Sequence, residues 1–242
     1  MQIRQAALVV VALWIVLGLQ GQVPPASSQP EPRDMSRIYK DNVWTCLLPA
    51  LKATGKAGRL YYRAECRPVQ QPDSLHPYYL PDTLLFPLTA VNAPLRDKTG
   101  LAAVQYVFRD DKEVTVTKGK SGIIKVRIGE VSDAILQTKM ICLKLTPDER
   151  YNPGLAIFAI EDARDVQDAM SRLGYVCTER RLAMLITQPA KGLPHLPSSM
   201  KNITMDAALD AVAETFKGIV IYGECRQSDG TSIYDIDFRP CS

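Results

Sequence analysis

The sequence predicts an α+β (or α/β) fold of repeated helix–strand–strand units, their helices packed on small mixed sheets. Three observations carry that expectation. A helical apolar stripe runs into a strand pair near the carboxyl end, and the same succession recurs mid-chain. In addition, 46% apolar residues in a 242-residue chain can fill a core.

The carboxyl-terminal unit is the clearest. Thr204 is an N-cap residue, and Met205, Leu209, Val212 and Phe216 recur at spacings of four, three and four, which is one face of a helix. Gly218 is expected to stop it. Ile219–Val220–Ile221–Tyr222 is a β-branched and aromatic run, Gln227–Ser228–Asp229–Gly230 has turn chemistry, and Tyr234, Ile236 and Phe238 then alternate with Asp235 and Asp237.

In the middle, Leu101, Ala103, Val104 and Phe108 repeat the spacing of Leu209, Ala211, Val212 and Phe216. Val114 and Val116 alternate with threonines, Lys118–Gly122 is a turn, and Ile124, Val126 and Ile128 alternate with Lys125 and Arg127, as in a half-buried hairpin. A weaker copy opens the fold: a helix from about Asn42 to Lys56, containing Leu48, Ala50 and Leu51, precedes a strand ending in Tyr62-Arg-Ala-Glu-Cys66-Arg67, similar to Tyr222-Gly-Glu-Cys225-Arg226. Between the later copies, Asn152–Pro153 caps the longest helix expected, with Ala159, Ala163, Val166, Met170 and Leu173 on its stripe and Gly174 at its end. Ile141–Leu145 and Leu182–Thr187 flank it as strands.

Residues 1–21 have the order of a signal peptide, with Arg4 before the apolar run Ala6–Leu19. That run is shorter than the roughly 20 residues a membrane crossing requires. Residues 22–37, rich in Pro, Ser and Gln, read as a flexible linker. Two α/β subdomains are expected, 38–133 and 134–242, which share a sheet. The expected location is the periplasm or the outside of the cell. The net charge of +3, lowered by one without Arg4, gives no field that selects nucleic acid, and membrane contact is expected only through the leader.

Export places six cysteines in an oxidising compartment, where disulfides are favoured over metal sites, and the sequence has no Cys-x-x-Cys pair. A first helix with its strand returning alongside brings Cys66 near Cys46, so that pair is expected. Cys142 and Cys177 flank the long helix and form the second expected pair. A terminal hairpin folded near Ser228–Asp229 puts Cys225 and Cys241 about 30 Å apart, beyond the roughly 7 Å Cα limit, so no bond between them is expected.

The stretch Lys201–Cys225, KNITMDAALDAVAETFKGIVIYGEC, resembles the secretin and TonB short N-terminal domain. Ile203, Ala208, Leu209, Val212, Gly218, Ile219, Ile221 and Tyr222 carry the likeness, within a segment of about 200–240, and the segment Thr99–Ile128 is similar. The resemblance implies a periplasmic docking domain and brings no catalytic residue. It departs from the family's usual settings, because neither a receptor barrel nor a pore-forming region accompanies it.

The chemistry otherwise available is thin, and neither a cofactor nor a metal is expected. His76 and His195, the two histidines, lie in proline-marked loops. A hydrolase pairing Cys66 with His76 is one alternative, but nothing nearby marks an oxyanion site. Glu161–Asp162 are adjacent on a helix, and Asp235 and Asp237 lie on the polar face of a strand, so neither pair fits glycoside chemistry. The glycines around Lys118–Lys120 join two strands rather than a strand to a helix, which does not suit a phosphate loop. Carbohydrate or cell-wall binding by Tyr61–Tyr62 and Tyr78–Tyr79 is the other alternative, with one exposed ring expected per pair. The reading that remains first is non-enzymatic: a module docking onto an envelope protein, with a strand edge as one possible surface.

Overall fold

The repeated units build one mixed sheet from both halves of the chain. A computed structural model describes residues 40–42, 47, 51, 56–69, 78–82, 85–87, 98, 100–119, 122–177 and 192–241. These fall within one unit, Tyr39–Ser242. The expected leader and linker, and the expected strand Leu182–Thr187, lie outside the described residues.

In chain order the elements are β1 (Lys40–Asn42), β2 (Gly58–Arg63), β3 (Cys66–Val69), β4 (Tyr78–Pro81), β5 (Leu85–Pro87), α1 (Gly100–Val107), β6 (Val114–Lys118), β7 (Ile124–Ile128) and β8 (Lys139–Lys144). There follow α2 (Pro147–Tyr151), α3 (Pro153–Glu161), α4 (Arg164–Leu173), β9 (Tyr175–Cys177), β10 (Ser199–Thr204), α5 (Met205–Phe216), β11 (Gly218–Arg226) and β12 (Ser232–Pro240). Helices and strands interleave with a mixed sheet and small ribbons, so the class is α+β as expected.

The main sheet has the order β6-β7-β2-β11-β12-β9. β7, β2 and β11 are parallel at its centre, while β6 and β12 are the antiparallel returns of two hairpins. The sheet therefore takes three strands from before residue 133 and three from after it. The ribbons β1–β5, β3–β4 and β8–β10 are not hydrogen-bonded into it.

Both faces of the sheet are covered, because the crossover from β2 to β7 moves one way along the sheet and that from β7 to β11 moves the other. Right-handed crossovers of opposite direction lie on opposite faces. Accordingly Ala103, Val104 and Val107 of α1, with the buried helical residues Leu47 and Leu51, pack against Leu60, Val126, Ile219 and Ile221. On the reverse face α3, α4 and α5 pack against Tyr61, Val220, Tyr222 and Tyr234. β11 is buried at every residue from Gly218 to Cys225, as a doubly covered central strand should be.

The two best-matched helical stripes are both dry but lie on opposite faces. Val104 and Phe108 are buried and Leu101 packs beside them, while Leu209 and Val212 are buried and Phe216 packs on the other cluster. The strand following each helix differs more. β6 is an edge with alternating exposure, whereas β11 is central.

Two local expectations are corrected. The long helix is two: α3 closes at Asp162, Ala163 is extended (φ −56°, ψ 131°), and α4 starts anew. The break lets the largely apolar α3 and the amphipathic α4 both turn Ile160, Val166 and Met170 into one cluster, and the Gln167 side chain caps the Glu161 carbonyl at 2.7 Å. Asn152 caps α3 as expected, accepting from Gly154 and Leu155. The other correction concerns α5, which ends on Lys217 in the left-handed region (φ 51°). Gly218 is instead the first residue of β11, where an added Cβ would meet the Phe238 ring.

Candidate functional site

An edge strand offers the part of a sheet that can recognise another chain, because its outward N–H and C=O groups have no ladder partner. In β6 the parity of the ladder fixes which residues these are. Gly119 donates to Ile123 O at 2.8 Å and Gly129 to Glu113 O at 3.2 Å, so Glu113, Thr115, Thr117 and Gly119 bond inward to β7. Val114, Val116 and Lys118 therefore point their main-chain groups outward. Val114 N–H is taken by Asp111 O at 3.4 Å. The Val116 and Lys118 N–H groups meet no partner among the described residues.

β6 has none of the usual protections of an edge within its span, neither proline nor bulge, apart from Lys118 at its end. Val114 and Val116 face the α1 side and are half-buried, while Thr115, Thr117 and Lys118 are exposed. The opposite edge is β9, of which Tyr175–Cys177 lie among the described residues.

Behind β6 the sheet face turns ionic. Arg59, fully buried, donates from Nη1 to Asp210 Oδ1 at 2.6 Å and to Asp206 O at 2.8 Å, and its Nη2 lies 3.2 Å from Asp206 Oδ1. Lys125 Nζ reaches both aspartates at 2.8 Å, and the Tyr61 hydroxyl donates to Asp206 at 2.7 Å. Burial works against an ionised Asp206, but the charge of Arg59 outweighs it with help from Lys125 and Tyr61, and the carboxyl is held below its ordinary range. The i, i+4 spacing of Asp206 and Asp210 aims both at β2 and β7, so the network docks α5 on the sheet.

At the carboxyl ends of β2 and β11, Glu224 is buried. Its Oε1 accepts from Ser132 N at 2.8 Å and its Oε2 from the Tyr222 hydroxyl at 3.2 Å, while its carbonyl accepts from Ala64 N at 3.0 Å. Burial raises the Glu224 pKa, and the Ser132 and Tyr222 hydrogen bonds only partly oppose that rise. Both carboxylate oxygens are engaged, so the group clamps the segment after β7 onto β11.

The disulfide expectations are corrected here. Cys66 is bonded to Cys225, with Cα atoms 5.1 Å apart, and not to Cys46, which lies outside the described residues. β2 and β11 are parallel neighbours with Arg63 opposite Glu224, so both chains leave the sheet at one end and their next cysteines meet. Cys142 and Cys177 do not pair either. Cys142 is an exposed thiol on the β8–β10 ribbon, whereas Cys177 on β9 directs its thiol to Glu161 Oε1 at 3.3 Å. Cys225 sits opposite Ile233 and Cys241 follows Pro240 beside Lys217, so that pair is kept at opposite ends of the hairpin as expected.

Cys66 is held in the disulfide and so presents no free thiol; His76 lies outside the described residues. His195 is exposed and stacks on Tyr151 at 5.0 Å. Glu161 is buried while Asp162 caps the helix, so the two carboxylates do not converge. Tyr61 is buried between Arg59 and Arg127, whereas Tyr62 is half-buried and its ring lies over Gly223. Tyr79 is half-buried, and the Tyr78 side chain is not described. Among the described residues no cluster suits a metal ion and no helix is long and apolar enough to cross a membrane.

The edge and the ionic network were out of reach of sequence reasoning, since both depend on which strands become neighbours. One signal was present: the threonine–valine alternation of β6 lacks any proline. Comparison with protein families, curated proteins and solved structures finds no match to this chain.

Proposed function

We propose that the protein is a non-enzymatic interaction module, periplasmic or secreted, that docks onto an envelope protein by accepting an extended segment of it along β6. The observation that carries the reading is the open edge: the outward N–H groups of Val116 and Lys118, and the carbonyls between them, repeat every two residues as a strand requires. The leader-like order of residues 1–21 and the resemblance of Lys201–Cys225 to a periplasmic docking domain support the cellular setting.

The test is site-specific photo-cross-linking in the native envelope. A photoreactive residue at Thr117 is expected to give a discrete adduct with one protein, which the same residue at Lys201 on β10 does not give. Val116→Pro, which removes an outward N–H and leaves the β7 ladder intact, is expected to abolish the adduct. An adduct that is indifferent to position, or that survives Val116→Pro, would rule out docking at β6.

A further inference from the structure

Resting on the edge-docking reading, we infer that the strand added to β6 is uncharged and two-faced: a stretch of partner protein with apolar side chains on the α1 side and uncharged polar side chains on the other. β6 itself presents two such faces. Val114 and Val116 are half-buried on the α1 side, where with Leu101 they form part of the margin of the cluster that holds Ala103, Val104 and Val107. Thr115 and Thr117 point the opposite way and are exposed. An added strand continues the pleat, so its residues opposite Val114 and Val116 lie on the α1 side, and apolar ones complete the burial of those valines. Lys118 follows on the same face, is exposed, and limits that apolar stretch to the positions opposite the two valines.

Charge at the edge favours neither sign. Lys112 and Lys118 are matched in number by Asp111 and Glu113, and none of these residues is in an ion pair among the described residues. On the reverse face Thr115 lies opposite Arg127 and Thr117 opposite Lys125. Both of those cations already have partners, Asp133 for Arg127 and Asp206 with Asp210 for Lys125. A charged residue beside Val114 or Val116 would leave water without a partner, whereas hydroxyl residues beside Thr115 and Thr117 exchange hydrogen bonds across the strands. Nucleic acid or a lipid headgroup presents phosphate acceptors, which would leave the outward carbonyls of Val114, Val116 and Lys118 without donors; an extended peptide supplies donor and acceptor alternately. A second copy of this chain also carries the valine–threonine alternation. In every antiparallel register that sets valine against valine across two copies of β6, however, a lysine falls opposite a valine or another lysine, which disfavours self-pairing.

The test uses the full chain and end-blocked, fluorescein-labelled heptapeptides, followed by fluorescence anisotropy. One peptide alternates Thr with Val, a second has the same composition with its valines in one block, and a third alternates Thr with Ser. The alternating Thr–Val peptide is expected to bind at least about tenfold more tightly than either of the others, a difference that burial of valine side chains supplies. Raising salt from about 0.1 M to about 0.5 M is expected to change its affinity by less than about threefold, since no net charge is matched. Val114→Thr/Val116→Thr keeps every outward main-chain group and is expected to erase the preference over Thr–Ser, and Val116→Pro to abolish binding of all the peptides. Equal affinities, no binding of the Thr–Val peptide, or a salt dependence beyond about threefold would overturn the inference. Equal affinities that vanish in Val116→Pro would leave edge docking standing, while Thr–Val binding that persists in Val116→Pro would remove the edge itself. Sedimentation of the chain alone is expected to show a monomer; a dimer that Val116→Pro dissolves would make a second copy the occupant and overturn the inference as well. Val114→Thr/Val116→Thr, close in shape to the native strand, keeps the result readable if Val116→Pro fails to fold.

Discussion

Cys66 and Cys225 stand 159 residues apart in the chain and are joined by a disulfide that ties the start of β3 to the end of β11. It closes a loop that contains most of the sheet, and a cross-link over so long a loop removes much of the freedom of the unfolded chain. The Cys66→Ser/Cys225→Ser double variant is expected to lose about 2–5 kcal/mol. Urea unfolding of both proteins measures this, and an unchanged midpoint would show that the bond contributes nothing to stability.

Glu224 and Asp206 pull the pH dependence of stability in opposite directions. The folded-state pKa of Glu224 lies above its ordinary 4.5, so its contribution is complete below that value and is lost as pH rises through the folded pKa. Glu224→Gln is expected to remove that decline, flattening stability as pH rises above the group's ordinary 4.5. Asp206 is held below its ordinary 3.8, so its contribution is present above that value and is lost as pH falls through the folded pKa. Asp206→Asn is expected to lower stability at neutral pH and weaken the acid-side loss. Chemical denaturation across pH reads both effects, and parallel profiles for wild type and variants would contradict the assignment.

Gly223 is where a side chain cannot fit, because its added Cβ would lie 2.5 Å from Cζ of Tyr62, the residue opposite it on β2. Gly223→Ala is expected to destabilise the fold by about 1–3 kcal/mol through overpacking. Combining it with Tyr62→Ala should recover part of that loss beyond additivity, as a double-mutant cycle in thermal unfolding would show. Strict additivity would mean that the two residues do not meet.

Asn152 is buried and its Oδ1 accepts from two N–H groups at the start of α3, at 2.9 and 3.2 Å. Asn152→Ala leaves those donors without their cap and is expected to cost about 1–2 kcal/mol, whereas Asn152→Asp should cost less. Equal losses for the two variants would argue that packing, rather than capping, holds this residue in place.

Helix α5, its N-cap Thr204, the hairpins β6–β7 and β11–β12 and the capping of α3 were legible because each is decided by residues within a few positions of one another. The break between α3 and α4 was not, since the stripe from Ala159 to Leu173 has a continuous helical period and only the shared cluster beneath requires the chain to turn. Nor was the environment of Tyr61: its sequence neighbours say nothing of Asp206, a residue supplied by α5 from far along the chain. The disulfide shows the same limit. The similar strand ends at Cys66 and Cys225 are visible in the sequence, but local geometry favours a partner for Cys66 within its own unit, because nothing local says that two similar strands will lie side by side.

Local order, then, was determined by the sequence itself: short-range periodicity, caps and turns are contests between a residue and its near neighbours, and they named the α+β class. Tertiary structure decided adjacency. β2 became the neighbour of both β7 and β11 through crossovers on opposite faces, which brought Arg59 to Asp206, closed Cys66 on Cys225 and left β6 at the end of the strand order. Those outcomes turn on burying two faces of one sheet at once, a condition that only the whole chain can satisfy.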